Sequence, residues 1–301
     1  MCIRDRGFVR PGGGIDLVAG DDLRFAFNLI FLNPDQVLPF VARYGTDIFD
    51  RRASVGFWTW ELPTPRPEWR AALGGFDLIV APSAWCAEAF AIETAGAIAT
   101  VPYVVDRAAL CGARDAYRGH PAIDRLIAAR TAGQRIVLLV VDDAADAAPK
   151  GVDVFGAMAA AFEQRFPGRA LFVLKTQARG RADARRPETA PVRVIDDRLD
   201  LPDLCKLKSI ADAFVSPHRA EGFGADIFSS IALGVPAFCS RHAGGADLLG
   251  EDYPYFLRGR FVEVGVDRVA YRRGAVWFEP DPAAAVEGLA RFFDAPEGGR
   301  E

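Results

Sequence analysis

Residues 215–249, VSPHRAEGFGADIFSSIALGVPAFCSRHAGGADLL, hold the densest group of chemistry-capable side chains in this 301-residue chain. An apolar run ends near Pro217, a turn carries Glu221 with Gly222 and Gly224, and a helical pattern begins near Ala225. Glycines in such a turn let the backbone approach a ligand, and the unpaired N–H groups of a helix start present a positive end to a phosphate. The next strand ends in a second glycine pair, Gly244-Gly245, on the same carboxyl edge. Asp226 is an oddity there: a carboxylate in the first helical turn suits the helix dipole but would repel a diphosphate bound nearby. A strand, a glycine turn and a helix form a weak signal alone, since any nucleotide-binding α/β domain can contain them.

Metal and disulfide chemistry find little support. His120, His218 and His242 make no ligand spacing such as H-x-x-x-H, and the five cysteines are odd in number, widely spaced and without a C-x-x-C pair. A reducing, cytoplasmic compartment fits them best. The net charge of −4, from 36 Lys+Arg and 40 Asp+Glu, gives no basic field for nucleic acid or an anionic membrane. No run approaches the roughly 20 apolar residues that span a bilayer, so any membrane contact is expected to be peripheral at most.

The elements that must position these residues alternate. Up to residue 131, strand-like runs FAFNLIFLN (25–33), SVGFWTW (54–60), DLIVAPS (77–83) and TVPYVVD (100–106) are interleaved with helix-like segments at 34–45 and 83–94. From 132 to 301 the pattern recurs: RIVLLVV (135–141), 152–166 as a helix, RALFVLKT (169–176), VRVIDD (192–197), a helix at 201–211, AFVSPH (213–218), a helix at 225–234 and PAFCSR (236–241). Such alternation predicts βαβ units and parallel sheets, with helices covering both faces of strands as apolar as IVLLVV. The expected fold is α/β: two doubly wound, Rossmann-like domains, 1–131 and 132–301, facing each other across a cleft at the carboxyl ends of their sheets. The polar, Gly/Pro-broken segment 111–133 reads as their connection, and RGRADARRPE (179–188) as a solvated loop.

The wording of the motifs is more specific than their geometry. HRAEGFG, then ALGVP, then AGGADLL resemble the donor-binding half of retaining glycosyltransferases of family 4, which have the GT-B fold. GFWTWELPTPRPEW (56–69) is similar to a G-Y-W-x-W-E-L-P element of the acceptor half in one bacterial subgroup. DLIVAPSAWCAEAF (77–90), LFVLKT (171–176) and AVWFEPD (275–281) agree with further elements in order. The resemblance spans about residues 25 to 290. It implies transfer of a sugar from a nucleotide diphosphosugar to a hydroxyl of a glycan, lipid-linked or other acceptor, with retained anomeric configuration and no protein-held metal or other cofactor.

That chemistry needs charge at the leaving diphosphate. The resemblance assigns Lys150 to this role, although Pro149 stands where the family has an arginine. Glu221 matches the first glutamate of an E-x(7)-E motif, close to the reacting centre. The second is replaced by Ser229, whose single hydroxyl accepts one ribose hydrogen bond at most. Losing that charged acceptor costs about 1.5–3 kcal/mol of donor binding. Gly222, Phe223, Gly224 and Gly244 complete the turn around the donor. Lys175 at a strand end and Arg219 beside the strand are further phosphate candidates, Ile195 and Asp196 frame the base by position alone, and Glu61 faces the acceptor or the transferred sugar. Bland readings stand beside these: an exposed turn carboxylate for Glu221, solvated strand-end or helix-start lysines for Lys175 and Lys150, a turn residue for His218, a helix cap for Asp247, and core packing for Trp58 and Trp60.

A catalytically degenerate homologue serving as a binding or partner subunit is the alternative, favoured by Ser229, Pro149 and Asp226. The opening MCIRDR reads like nothing structural and resembles an adapter-derived peptide found at the ends of reading frames assembled from environmental DNA. About 130 residues for the acceptor half, where roughly 150–200 are wanted, lead to the expectation that the first domain lacks its start.

Overall fold

The computed structural model describes residues 2–3, 26–92, 96–141, 147–176, 191–242, 244–268 and 270–295. The polar loop 179–188 lies outside them. The chain divides into two units, Met1–Tyr103 and Val104–Glu301.

The first unit is built on a five-stranded sheet in the order β1-β2-β3-β4-β5: β1 Cys2–Ile3, β2 Phe27–Ile30, β3 Ala53–Phe57, β4 Leu78–Ala81 and β5 Ala97–Thr100. Strands β2 to β5 are parallel, and β1 pairs antiparallel with β2. The opening hexapeptide thus contributes a strand where nothing structural was expected. Helices α1 Pro34–Tyr44, α2 Arg70–Leu73 and α3 Ala84–Ala91 connect the strands. Trp58 is fully buried and meets Phe76 and Phe90 edge-on, at 5.0 and 5.5 Å between ring centroids. Trp60 is buried edge-on against Trp69. The aromatic run after β3 is core, as its residue types suggested.

Strand β5 falls earlier than the 100–106 run expected from β-branched content. AIAT pairs with β4, the ladder continues for one more bond from the Val101 N–H to the Ala81 carbonyl, and Pro102 has no N–H with which to extend it.

The second unit begins with α4 Arg107–Asp115 and α5 Pro121–Thr131, capped by Asp106 and His120. The expected connection at 111–133 is therefore largely helical, and the units divide at 103/104 rather than at 131/132. The physical reason is burial: Ala122, Ile123 and Leu126 of α5 sit in the second unit's core with Tyr117 and Ile127 packed against it, while the many exposed residues between them make the segment read as polar.

Its sheet runs β11-β10-β9-β6-β7-β8 and every pairing in it is parallel. The strands are β6 Arg135–Val140, β7 Ala170–Lys175, β8 Val192–Ile195, β9 Ala213–Ser216, β10 Ala237–Ser240 and β11 Phe256–Leu257. The intervening helices are α6 Val152–Arg165, α7 Leu201–Ser209, α8 Ala225–Ala232 and α9 Ala246–Leu249. Alternate residues of β6 enter different cores, Val137 and Leu139 with α6, and Ile136 and Leu138 with α5 and α7. That is why IVLLVV is apolar throughout. A hairpin of β12 Gly259–Glu263 and β13 Val276–Pro280 follows, then α10 Pro282–Asp294, whose Asp281 cap accepts from the Ala283 and Ala284 N–H groups. No helix among the described residues is long and apolar enough to cross a membrane.

Candidate functional site

In the second sheet the strand order reverses direction between β6 and β9, the switch point at which open parallel sheets place ligands beyond their carboxyl ends. Two loops leave the sheet there. After β6 the chain reaches a short 3-10 turn, Ala148–Lys150, and Gly151 in a left-handed conformation (φ 69°) opens α6. After β9 it runs through His218, Arg219 and Ala220 to Glu221, and Gly224 (φ 88°) opens α8.

The loops are locked together by backbone. Both the Arg219 and Ala220 N–H groups donate to the Pro149 carbonyl, at 2.7 and 3.2 Å. A Cβ on Gly151 would stand 1.9 Å from the Pro217 carbonyl oxygen. The loop after β10 joins in: the Gly244 N–H donates to the Glu221 carbonyl at 2.6 Å, and a Cβ on Gly244 would stand 1.7 Å from the Gly222 oxygen. Gly244 and Gly151 are therefore required because loop meets loop, a different cause from the ligand approach inferred for the turn glycines.

Across this frame the Lys150 ammonium donates to Glu221 Oε2 at 3.0 Å, with the two side chains 29 % and 23 % exposed and so within reach of a ligand. The other oxygen, Oε1, accepts from the Phe223 and Gly224 N–H groups at 3.3 and 3.1 Å. Burial alone would raise the Glu221 carboxyl, but Lys150 and these donors outweigh it and hold the group at about 2. Glu221 is thus an ordered carboxylate at neutral pH, able to accept hydroxyl hydrogen bonds and to face positive charge. His218, one of the most buried polar residues, is pushed down to about 4 by burial, with Glu221 opposing and Lys150 adding to the shift. Its Nδ1 lies 2.9 Å from Ser216 Oγ, and its buried Nε2 meets no partner among the described residues.

Arg219 is where the structure departs most from the sequence expectation. All five guanidinium hydrogens are committed: Nε and Nη2 to Glu279 at 2.5 and 2.6 Å, Nη1 and Nη2 to Asp153 at 2.7 and 2.8 Å, and Nη1 to the Ala148 carbonyl at 2.7 Å. The group also lies over the Trp277 ring at 5.3 Å. Burial disfavours its charge, yet Asp153 and Glu279 more than restore it and keep it above its ordinary value. No donor remains for a phosphate, so Arg219 is a clamp that ties α6, the Glu221 loop and β13 together. Glu279, in the WFEPD segment, and Asp153 escaped the sequence reading because their partner lies 60 and 66 residues away.

Ser229 is likewise engaged. Its hydroxyl accepts from the Lys208 ammonium at 2.7 Å and donates to the Asp226 carbonyl at 3.2 Å, which leaves one lone pair for a ligand. Lys208, from α7, also holds Asp226 Oδ1 at 2.5 Å. It was missed, though its place four residues after Leu204 on a helix with apolar Leu207 and Cys205 puts it on the buried stripe.

Lys175, Ile195 and Asp196 lie at the carboxyl edge of the second sheet. Lys175 ends β7, is buried at 2 % exposure, and donates to the Thr176 carbonyl at 2.5 Å, so it is no solvated lysine. Ile195 ends β8, buried, its carbonyl accepting from the Thr176 N–H; Asp196 follows it, exposed. Phe223 is buried and packs on Phe228 at 5.0 Å between centroids. Glu61 belongs to the first unit, where it is partly exposed and its carbonyl accepts from Trp85 Nε1 at 3.3 Å.

No protein-family model matches this chain, and no curated protein sequence matches it. Solved structures do. An α,α-trehalose-phosphate synthase (UDP-forming) from Burkholderia vietnamiensis aligns with a TM-score of 0.66 and 17 % identity over 90 % of this chain and 64 % of its own. A Burkholderia xenovorans synthase of the same description, in complex with glucose-6-phosphate, gives 0.65 and 17 % over 90 % and 67 %. An E. coli structure described as trehalose-6-phosphate, bound with UDP-2-fluoro glucose, gives 0.60 and 14 % over 89 % and 69 %. The chain thus spans less than two thirds of the first of these proteins. At such identity the likeness establishes the fold, and the fold is α/β of the GT-B kind, with two units on parallel sheets.

Proposed function

We propose that this chain is the greater part of a retaining glycosyltransferase that takes its sugar from a nucleotide diphosphosugar, with the donor held by the second unit. The observation that carries the reading is the Lys150–Glu221 pair at the switch point of a parallel sheet, on loops whose backbones are bonded to each other. The solved relatives support it, two being described as UDP-forming synthases and another as bound with UDP-2-fluoro glucose.

The chemistry follows from the charges. As the anomeric bond breaks, negative charge grows on the diphosphate and positive charge on the sugar ring. Lys150 faces the first and the ionised Glu221 the second. Because Glu221 is held near 2, it acts by hydrogen bonding and electrostatics and has no proton to give. The leaving group is balanced by Lys150, Lys175 and backbone N–H groups, with no protein-held metal. The family 4 resemblance supplies the finer reading: a glycan, lipid-linked or other hydroxyl acceptor, Glu61 on the acceptor side, and action in polysaccharide or glycoconjugate synthesis. The described cysteines 86, 111, 205 and 239 are free, which suits a reducing, cytoplasmic setting.

The test is a panel of UDP-, ADP-, GDP- and dTDP-sugars, followed for donor hydrolysis and transfer, with calorimetric titration of the free nucleoside diphosphates. Turnover is expected with one base preferred, and Glu221→Gln is expected to lower kcat at least a hundredfold while diphosphate binding persists. Absence of both binding and turnover overturns the reading. Binding without turnover would favour the alternative, a partner subunit that keeps the fold.

A further inference from the structure

We infer that Lys208 is a positioning residue that cancels the charge of Asp226 and so keeps the turn around Glu221 receptive to the donor's diphosphate; this rests on the donor-site reading above. Lysine is among the residues least often buried, and desolvating its ammonium is costly unless partners repay it. Here the side chain is 4 % exposed, and its hydrogen-bond partners among the described residues, Asp226 Oδ1 and Ser229 Oγ, both belong to the first turns of α8. Asp226 itself is 44 % exposed, so the carboxylate could stay solvated without an ammonium being drawn beneath it.

What makes the pair informative is its place in the site's charge balance. Lys150 is paired with Glu221, and Arg219 is shared between Asp153 and Glu279. These ion pairs supply no surplus positive charge, and the further cation of the site, Lys175, is buried at the end of β7. An unpaired Asp226, two residues after Gly224, would add a full negative charge beside the Ala225, Asp226 and Ile227 N–H groups, which donate to no acceptor among the described residues. Lys208, itself buried, removes that repulsion through its contact with Asp226 Oδ1. It also takes hold of Ser229, so one buried cation fixes two of the three residues that looked unfavourable for a donor site.

The experiment compares wild type with Lys208→Met, Asp226→Asn and the double variant, all in the full chain. Calorimetry measures the Kd of the preferred nucleoside diphosphate and of its uncharged nucleoside, alongside thermal unfolding. Lys208→Met is expected to weaken the diphosphate at least tenfold and the nucleoside less than twofold. Asp226→Asn is expected to tighten the diphosphate three- to tenfold, and the double variant to return within about threefold of wild type. Equal losses for nucleoside and diphosphate, or no rescue in the double variant, mean that Lys208 only holds α7 to α8 and overturn the inference. If Lys208→Met does not fold, Asp226→Asn decides: weaker diphosphate binding overturns it. A wild type that binds diphosphate with no response to these variants sinks the inference and leaves the glycosyltransferase reading standing; a wild type that binds none sinks both.

Discussion

Glu221 and His218 lie on one loop and titrate in adjoining windows, so acid should act on the fold in two steps. His218 is held below its ordinary value, at about 4, so its neutral form favours the native state. The stability this contributes is fully present above pH 6.5 and is lost as pH falls from 6.5 towards 4. Glu221 is held at about 2, so its contribution is present above pH 4.5 and is lost between 4.5 and 2. Denaturant titrations from pH 8 to 3 should show a decline beginning near 6.5, and His218→Gln should flatten the upper part of it by about 1–3 kcal/mol. An unchanged slope above pH 4.5 in that variant would show that His218 does not carry it. The Arg219 clamp offers a second check. Replacing Arg219 with Met unties α6, the Glu221 loop and β13 and leaves the Ala148 carbonyl without its donor, and should cost about 1–3 kcal/mol, since Asp153 and Glu279 can be solvated, with Arg219→Lys recovering only part, since an ammonium cannot make five hydrogen bonds in a planar fork. A loss below about 1 kcal/mol in urea would mean that the clamp does not hold the three elements together.

At the level of elements, β6 to β10 and the helices between them were legible, because IVLLVV, RALFVLKT and AFVSPH are strongly apolar and are separated by clear helical periods, whereas α4 and α5 read as a connection and β11, β12 and α10 left too weak a pattern. Glu221 was legible too, since glycines flank it and a helix start follows. The partners of Arg219 and Ser229 were not, because side-chain pairing across 60 or 21 residues leaves no trace in local spacing. Strand β5 was misplaced for the opposite reason: Ala97 and Ala99 dilute the β-branched Ile98 and Thr100, the run after Thr100 is richer in valine, and pairing with β4 decides the matter. Glycines discriminate the elements further. Gly112 lies inside α4 with nothing within 4 Å of the position a methyl group would take, so Gly112→Ala should stabilise by about 0.5–1 kcal/mol. Gly151→Ala meets the Pro217 carbonyl in a left-handed backbone conformation and should destabilise by more than about 2 kcal/mol while weakening diphosphate binding. Thermal melts of the two variants should move in opposite directions, and a common direction would contradict the loop contacts.

For the molecule as a whole, the division between Tyr103 and Val104 makes a simple physical prediction. Residues 101–106 carry no regular structure, and Val101, Tyr103 and Val104 are exposed, the last at 92 %. Brief chymotrypsin treatment should cut after Tyr103 before any site inside the sheets and release fragments 1–103 and 104–301, visible by mass spectrometry. Early cleavage within 121–131 instead would mean that α5 is not anchored in the second unit as Ile123 and Leu126 indicate.

The contacts of Gly151 with Pro217 and of Gly244 with Gly222 also bear on how this site can be changed. Three loops that touch through main-chain atoms cannot be adjusted one at a time by shortening, lengthening or decorating any of them, because each is the mould in which its neighbour is cast. Side chains such as Lys150, Ser229 and Asp226 can be exchanged on that mould. A transplant of this chain's chemistry into another scaffold would have to carry segments 148–151, 217–224 and 244–245 together, and a library built to alter its specificity should vary the side chains and leave the three backbones alone.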